Sequence, residues 1–508
     1  MRRKPMRSVL SATLTAVLAT AVVTAPAAAG NGAGDGRVVR TDKGLVAGTV
    51  AEGYRTFGAI PFAAPPVGAN RWRDPQPAAA WRGVRDATVP SPKCAQLPQL
   101  GQPGSQTEDC LYLNVTAPTG PARPRPVMVW VHGGGFTAGA ASDYDARRLA
   151  TRTGAVVVTV NYRLGVFGFF GLPGLAGSGA FGLADQQAAL RWVQRNARAF
   201  GGDAGNVTVF GESAGGLSVC ALLASPRAAG LFDKAIIQSG PCGLTTPGGQ
   251  PGVFSTLWRE RAAVEQTGAQ AAAGLGCADV ACLRALPVTA LLGVHTAFGT
   301  PAHGTAVLPV DPVVAQRTGR MHHVPTLVGS THDEATLFAA LLFPQPIPTA
   351  AYRQALAGLY AAEDVDRVLA RYPADGNGDV RDELARLMTD QSWACTVADA
   401  RRELGRHQRV SGYEFADAGV PLLFPDLPPF PGGYRAYHAS ELLMLFDFPG
   451  VVLTPAQRAV SDYMITAWGR FARTGEPGWR AAVQSLAPGA IGPTDFARDH
   501  RCGFWAQL

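Results

Sequence analysis

A serine set among glycines, Gly211-Glu212-Ser213-Ala214-Gly215, closes one apolar run and opens another. A serine hydroxyl is a weak nucleophile until a base takes its proton, and a strained strand-to-helix turn is the device that lifts such a serine into a site. The pattern alone is common in idle turns. Its setting raises it here: "NVTVF" (206–210) reads as a strand and "LSVCALLAS" (217–225) as a helix, with small residues where the two must pack. A second glycine cluster, His132-Gly133-Gly134-Gly135-Phe136, follows the strand-like "PVMVWV" (126–131). Bare backbone N–H groups can approach an oxygen there, and each such donor supplies about 10²–10³ in rate when aimed at a developing oxyanion. The expected donors are the N–H groups of Gly134, Gly135 and Ala214.

The base for such a serine is a histidine late in the chain, preceded by an acid. In "STHDEATLF", Asp333 and Glu334 compete for the acid role. Downstream stand His407, His438 and His500. His407 and His500 lie among charges and read as solvated, whereas His438 lies in the glycine- and aromatic-rich "GGYRAYHASELLMLF" before an apolar helix. His438 is the better base.

These residues need a scaffold. "PVMVWV", "AVVVTV" (155–160), "NVTVF", "KAIIQ" (234–238) and "VPTLVG" (324–329) are continuous apolar runs, the mark of strands covered on both faces. Between them, Leu190, Val193, Ala197 and Phe200 form one helical stripe in "DQQAALRWVQRNARAF". A helix-rich stretch over roughly residues 257–391, interrupted by the Val324 strand, reads as excursions over the sheet. The expected class is α/β: a mostly parallel central sheet flanked by helices, with helical insertions. No repeat, charge block or flexible linker divides residues 30–508, which read as one domain.

Ahead of it lies a leader, residues 1–29. Basic "MRRKPMR", apolar "VLSATLTAVLATAVV" and small "APAAAG" are fit for signal peptidase. The apolar run is short for a membrane span, so a secreted chain without a stable membrane anchor is expected. Four positive charges leave with the leader, which lowers the net charge from +7 to +3. No basic run interleaves with aromatics, so nucleic acid is not an expected partner. Eight cysteines in an exported chain predict disulfides, and none shows a zinc-ligand spacing.

The chain resembles the type-B carboxylesterases, the α/β-hydrolase family that includes cholinesterases and fungal lipases. The likeness rests on "IPFAAPPVGANRW", "EDCLYLNV", "HGGGF", "NYRLGVFGF", "FGGDAGNVTVFGESAGG" and "QSG", in that order between about Arg37 and Trp505. Matched residue by residue, it implies a triad of Ser213, Glu334 and His438, with Glu334 preferred to Asp333 because the family's acid is glutamate. It implies oxyanion donors at Gly134, Gly135 and Ala214, and a supporting network of Glu212, Ser239 and Glu441. It also implies ion pairs Arg71–Glu108 and Arg163–Asp185, and disulfides Cys94–Cys110, Cys277–Cys282 and Cys395–Cys502. Cys220 and Cys242 are left over, expected free in first place or else paired with each other. The reaction implied is hydrolysis of a small-molecule ester through an acyl-enzyme, with no metal or organic cofactor.

The resemblance also sets limits. The cholinesterases carry a choline-binding tryptophan in a long disulfide loop, and "AQLPQLGQPGSQTED" here is short and has none. Neutral short-acyl esters are therefore expected over choline esters. A lipase or polyester hydrolase is the rival enzyme. A non-catalytic binding protein on the same fold is the rival from another class, disfavoured because all three triad positions are filled.

Overall fold

β-Branched runs dictate the centre of the molecule. The computed structural model describes residues 36–120, 124–247, 250–376, 378–424 and 426–508. The leader expected over residues 1–29 lies outside them. Eleven strands form the main sheet: β1 (Thr49–Ala51), β2 (Tyr54–Pro61), β3 (Tyr112–Pro118), β4 (Arg125–Val131), β5 (Val156–Val160), β6 (Gly202–Glu212), β7 (Lys234–Gln238), β8 (Thr326–Thr331), β9 (Val410–Phe415), β10 (Val483–Leu486) and β11 (Gly492–Pro493). Their spatial order is 11-10-9-8-7-6-4-5-3-2-1. From β5 through β4 and β6 to β10 every neighbour is parallel. The two margins are antiparallel.

All five apolar runs fall in that parallel centre. Residues of β5, β7 and β8 are buried throughout, as two-sided cover requires. Two apolar layers lie on the faces, one around Val129, Val209 and Leu217, the other around Trp130, Phe210 and Trp468. Alternate residues of one strand feed opposite layers, as the two-residue strand period demands.

Helices α1 (Phe181–Asn196) and α2 (Ala214–Ala224) flank β6; α3 (Ala335–Leu342) leaves β8; α4 (Cys395–Leu404) precedes β9; α5 (Pro455–Thr474) covers the opposite face. The predicted stripe of Leu190, Val193, Ala197 and Phe200 is buried. Residues 197–200 tighten into a 3₁₀ turn rather than continuing α1. No helix among the described residues is long and apolar enough to cross a membrane. A π-helix, Thr389–Ala394, runs directly into α4. Parallel strands present their carboxyl ends together, and that edge, at Val131, Glu212, Gln238 and Thr331, is where chemistry collects.

Candidate active site

Ser213 is the single residue between β6 and α2. It stands at φ 57° and ψ −122°, a conformation that costs a non-glycine residue about 1–3 kcal/mol and persists only where its surroundings enforce it. Its N–H donates to the Gln238 carbonyl at 2.9 Å. The flanking glycines are obligatory for space. A Cβ on Gly211 would lie 2.6 Å from the Gly215 backbone, and one on Gly215 would lie 2.0 Å from the Val131 carbonyl oxygen. Ala214 opens α2, so its N–H belongs to a first helical turn whose donors have no partner within the helix.

The loop after β4 meets this turn. Gly134 (φ 100°), Gly135 (φ 60°) and Phe136 (φ 58°) hold left-handed backbone. Among the described residues, neither the Gly134 nor the Gly135 N–H has an acceptor. The loop is clamped from three sides. The Thr137 and Ala138 N–H groups donate to the Gly134 carbonyl, and the Gly165 N–H donates to the Phe136 carbonyl at 2.8 Å. His295 Nε2 meets the Thr137 carbonyl at 2.8 Å. Burial holds the His132 imidazole down at about 4, so it is a neutral ring, stacked on Tyr162.

The late histidine and its acid lie together and buried. His438 Nδ1 is 2.5 Å from Glu334 Oε2, and the second Glu334 oxygen accepts the Thr331 N–H at 2.9 Å. Asp333 turns away: Oδ1 accepts from Arg435 Nε at 2.7 Å and Oδ2 meets His332 Nδ1 at 3.1 Å. Geometry thus favours the glutamate independently of resemblance. Among the described residues His438 Nε2 has no hydrogen-bond partner, although Glu212 Oε1 lies 3.1 Å away. Phe338 and Trp393 face the imidazole, with ring centroids 4.9 and 5.9 Å from it. Trp393 rides on the π-helix, a feature frequent at functional sites.

Glu212, Ser239 and Glu441 are all buried behind the site. Burial, and then repulsion from Glu334, push the Glu212 carboxyl well above its ordinary range; burial, then Glu212 and Glu334, do the same to Glu441. The hydrogen-bonded link here is Gln238, which donates to Glu441 at 3.2 Å and accepts from Trp468 at 3.1 Å. Ser239 Oγ has no partner among the described residues. Gln238, Phe338, Trp393 and His295 were not singled out from sequence. Gln238 alone carried a signal, as the last residue of a strand next to the serine's.

Other expectations resolve similarly. Arg71 grips Glu108 through two bonds of 2.7 and 2.5 Å, and Arg163 grips Asp185 through two of 2.7 Å; the second pair is buried and the first partly so. Bridges join Cys94–Cys110, Cys277–Cys282 and Cys395–Cys502. Cys220 and Cys242 are joined too, at a Cα separation of 5.6 Å, where free thiols were expected first. The middle of α2 and the loop after β7 bring them together. His407 is exposed as expected. His500 is not: only 2% of it reaches solvent, because its charged neighbours are partners rather than signs of water.

The carboxylesterase family profile matches residues 35–487. The chain belongs to the carboxylesterase family. It is 35% identical over 477 residues to the para-nitrobenzyl esterase of Bacillus subtilis (strain 168), covering 88% of this chain and 91% of that one. It is 34% identical over 476 residues to the medium-chain fatty acyl-CoA hydrolase precursor of Anas platyrhynchos, covering 84% and 81%. The solved structure of a thermophilic PNB esterase superposes with a TM-score of 0.74 at 31% identity, covering 92% of this chain and 99% of that one. The chain is accordingly an α/β-hydrolase and a carboxylic ester hydrolase acting on small-molecule esters.

Proposed function

We propose that the enzyme is a secreted serine carboxylesterase working through Ser213, His438 and Glu334. The observation that carries this is the buried 2.5 Å contact of Glu334 with His438 Nδ1, with His438 Nε2 3.1 Å from the carboxylate of Glu212, the residue before a serine in a strained turn. Glu334 fixes the tautomer in which Nδ1 carries the proton and Nε2 is free to act as base. His438 Nε2 takes the Ser213 proton as Oγ attacks the ester carbonyl. The carbonyl oxygen gains the negative charge and settles among the N–H groups of Gly134, Gly135 and Ala214. The imidazolium then protonates the leaving alcohol, the C–O bond breaks, and the acyl group stays on Ser213. Water, deprotonated by the same imidazole, releases the acid and restores the hydroxyl.

Neutral short-acyl esters fit this site best. The Cys94–Cys110 loop is a tight hairpin pinned by Gln96–Ser105 and Gln99–Gln102 bridges, and it carries no tryptophan to hold a quaternary ammonium. Phe338 and Trp393 stack on each other and face His438, an apolar wall that suits an uncharged ester. Export is supported by the leader's composition and by four bridges, which suit an oxidising compartment. The test is kinetic. Ser213→Ala should abolish hydrolysis of p-nitrophenyl butyrate with an unchanged fold, and the wild type should show a higher kcat/KM for that ester than for butyrylthiocholine. Retained hydrolysis in Ser213→Ala would defeat the mechanism; preference for the thiocholine would defeat the specificity.

A further inference from the structure

Three ligand-type side chains converge outside the catalytic site. His332 leaves the end of β8, Glu414 stands on β9 opposite Ser330, and His500 follows the short helix Phe496–Asp499. One donor atom from each lies within 4.8 Å of the others. His500 Nε2 is 2.7 Å from Glu414 Oε1, and the two imidazole centroids are 5.2 Å apart.

The outer contacts are those of a metal site. A ligating histidine ordinarily gives its second nitrogen to a carboxylate, which fixes ring and tautomer and raises the basicity of the first. His500 Nδ1 lies 2.6 Å from Asp390 Oδ1, and His332 Nδ1 lies 3.1 Å from Asp333 Oδ2. Asp390 is itself held by Tyr372 Oη at 2.7 Å and Arg501 at 3.1 Å. Both rings are therefore oriented by their Nδ1 atoms, and His500 aims Nε2 at Glu414. Glu414 and His500 are buried, whereas the His332 side chain is 47% exposed, which gives an ion a way in and gives the ring room to swing.

We propose that His332, Glu414 and His500 bind a divalent transition-metal ion of the Zn²⁺ type, with water completing the coordination. Two imidazoles and a carboxylate suit such ions, and three protein ligands with an open fourth position are a familiar Zn²⁺ set. Bonds of about 2.0–2.1 Å in a tetrahedron place ligand atoms about 3.3 Å apart. Closing the site thus asks His332 to move inward and the Glu414–His500 pair to open from 2.7 Å by about 0.6 Å. The charge balance is definite. Without the ion, His500 is held between Asp390 and Glu414, so the proton on Nε2 must leave to solvent as the metal takes its place. The bound ion ties the end of β8, two residues before Glu334, to the C-terminal segment that Cys395–Cys502 already anchors.

Untagged protein titrated calorimetrically with Zn²⁺ at pH 8 tests this. The wild type should take up one equivalent, release about one proton and gain thermal stability. Co²⁺ in place of Zn²⁺ should give the visible absorption of a four-coordinate ion. His332→Ala, a change at a half-exposed side chain, should keep the metal-free melting temperature and weaken binding at least about tenfold. His407→Ala controls for the stacked surface pair His323 and His407, whose rings are 5.4 Å apart, and should bind like the wild type. Absence of stoichiometric binding, or binding that survives His332→Ala, would overturn the proposal.

Discussion

Replacing Glu334 by glutamine changes one atom of the site and separates two adjacent acids. The wild-type carboxylate accepts on both sides: Thr331 N–H donates to Oε1 at 2.9 Å, and His438 Nδ1 faces Oε2 at 2.5 Å, with Glu334 fully buried. A glutamine that keeps its oxygen toward Thr331 must turn its NH₂ toward Nδ1. That arrangement favours a bare Nδ1 and a protonated Nε2, the tautomer unable to take a proton from Ser213. Loss of the correct tautomer in a triad costs about 10⁴ in kcat, or about 5 kcal/mol of barrier at 1.36 kcal/mol per decade. Asp333→Asn disturbs the pair with Arg435, which keeps Asp382 as a partner, and the 3.1 Å contact with His332, neither of which touches His438. Its kcat should stay within about threefold of wild type, as expected for a partly solvated ion pair remote from the reacting atoms. Steady-state hydrolysis of p-nitrophenyl butyrate from pH 6 to 9, on both variants with matched melting curves, measures the difference. Equal losses, or a larger loss in Asp333→Asn, would refute the assignment of Glu334.

Three further outcomes follow from named contacts. His295→Leu removes the ring that holds the Thr137 carbonyl at the end of the oxyanion loop; kcat should fall about tenfold with KM nearly unchanged, and His295→Gln, which restores an N–H, should recover part of it. Glu441 keeps its proton well above the ordinary 4.5 because of burial and the neighbouring Glu212 and Glu334. Its folded state therefore binds more protons than the unfolded chain above that pH, and stability is lost as pH rises, so the advantage of Glu441→Gln in urea unfolding should grow from pH 5 to 8, by at most about 1.4 kcal/mol per unit. Exchanging both Cys395 and Cys502 for serine opens a loop with a sequence separation of 107 and should lower unfolding free energy by up to about 4–5 kcal/mol, read by calorimetry.

The parts legible in the sequence are those with local causes. Strands β4 to β8 announce themselves because a strand covered on both faces has no polar alternation to hide it. Ser213 and the Gly133–Gly135 cluster are legible because close backbone approach permits few residue types. What was missed depends on distant partners. The antiparallel margin, with β2 and β3, shows mixed polarity because one side meets less cover. His500 sits in "ARDHRC", which reads as a solvated stretch, yet Asp390 and Glu414 arrive from about a hundred residues away to bury it. Cys220 and Cys242 meet only because α2 and the loop after β7 pack side by side. The approach of Trp393 to His438 depends on a π-helical turn for which the residues 389–394 give no periodic signal.

The central claim is that Ser213 is the nucleophile which His438 and Glu334 activate. A fluorophosphonate labels an activated serine and leaves ordinary hydroxyls untouched, so peptide mapping of the labelled wild-type enzyme reports the residue directly. The account predicts a single adduct, on Ser213, formed in step with loss of esterase activity and suppressed in Glu334→Gln. An adduct on another serine, or full inactivation with Ser213 unmodified, would contradict it.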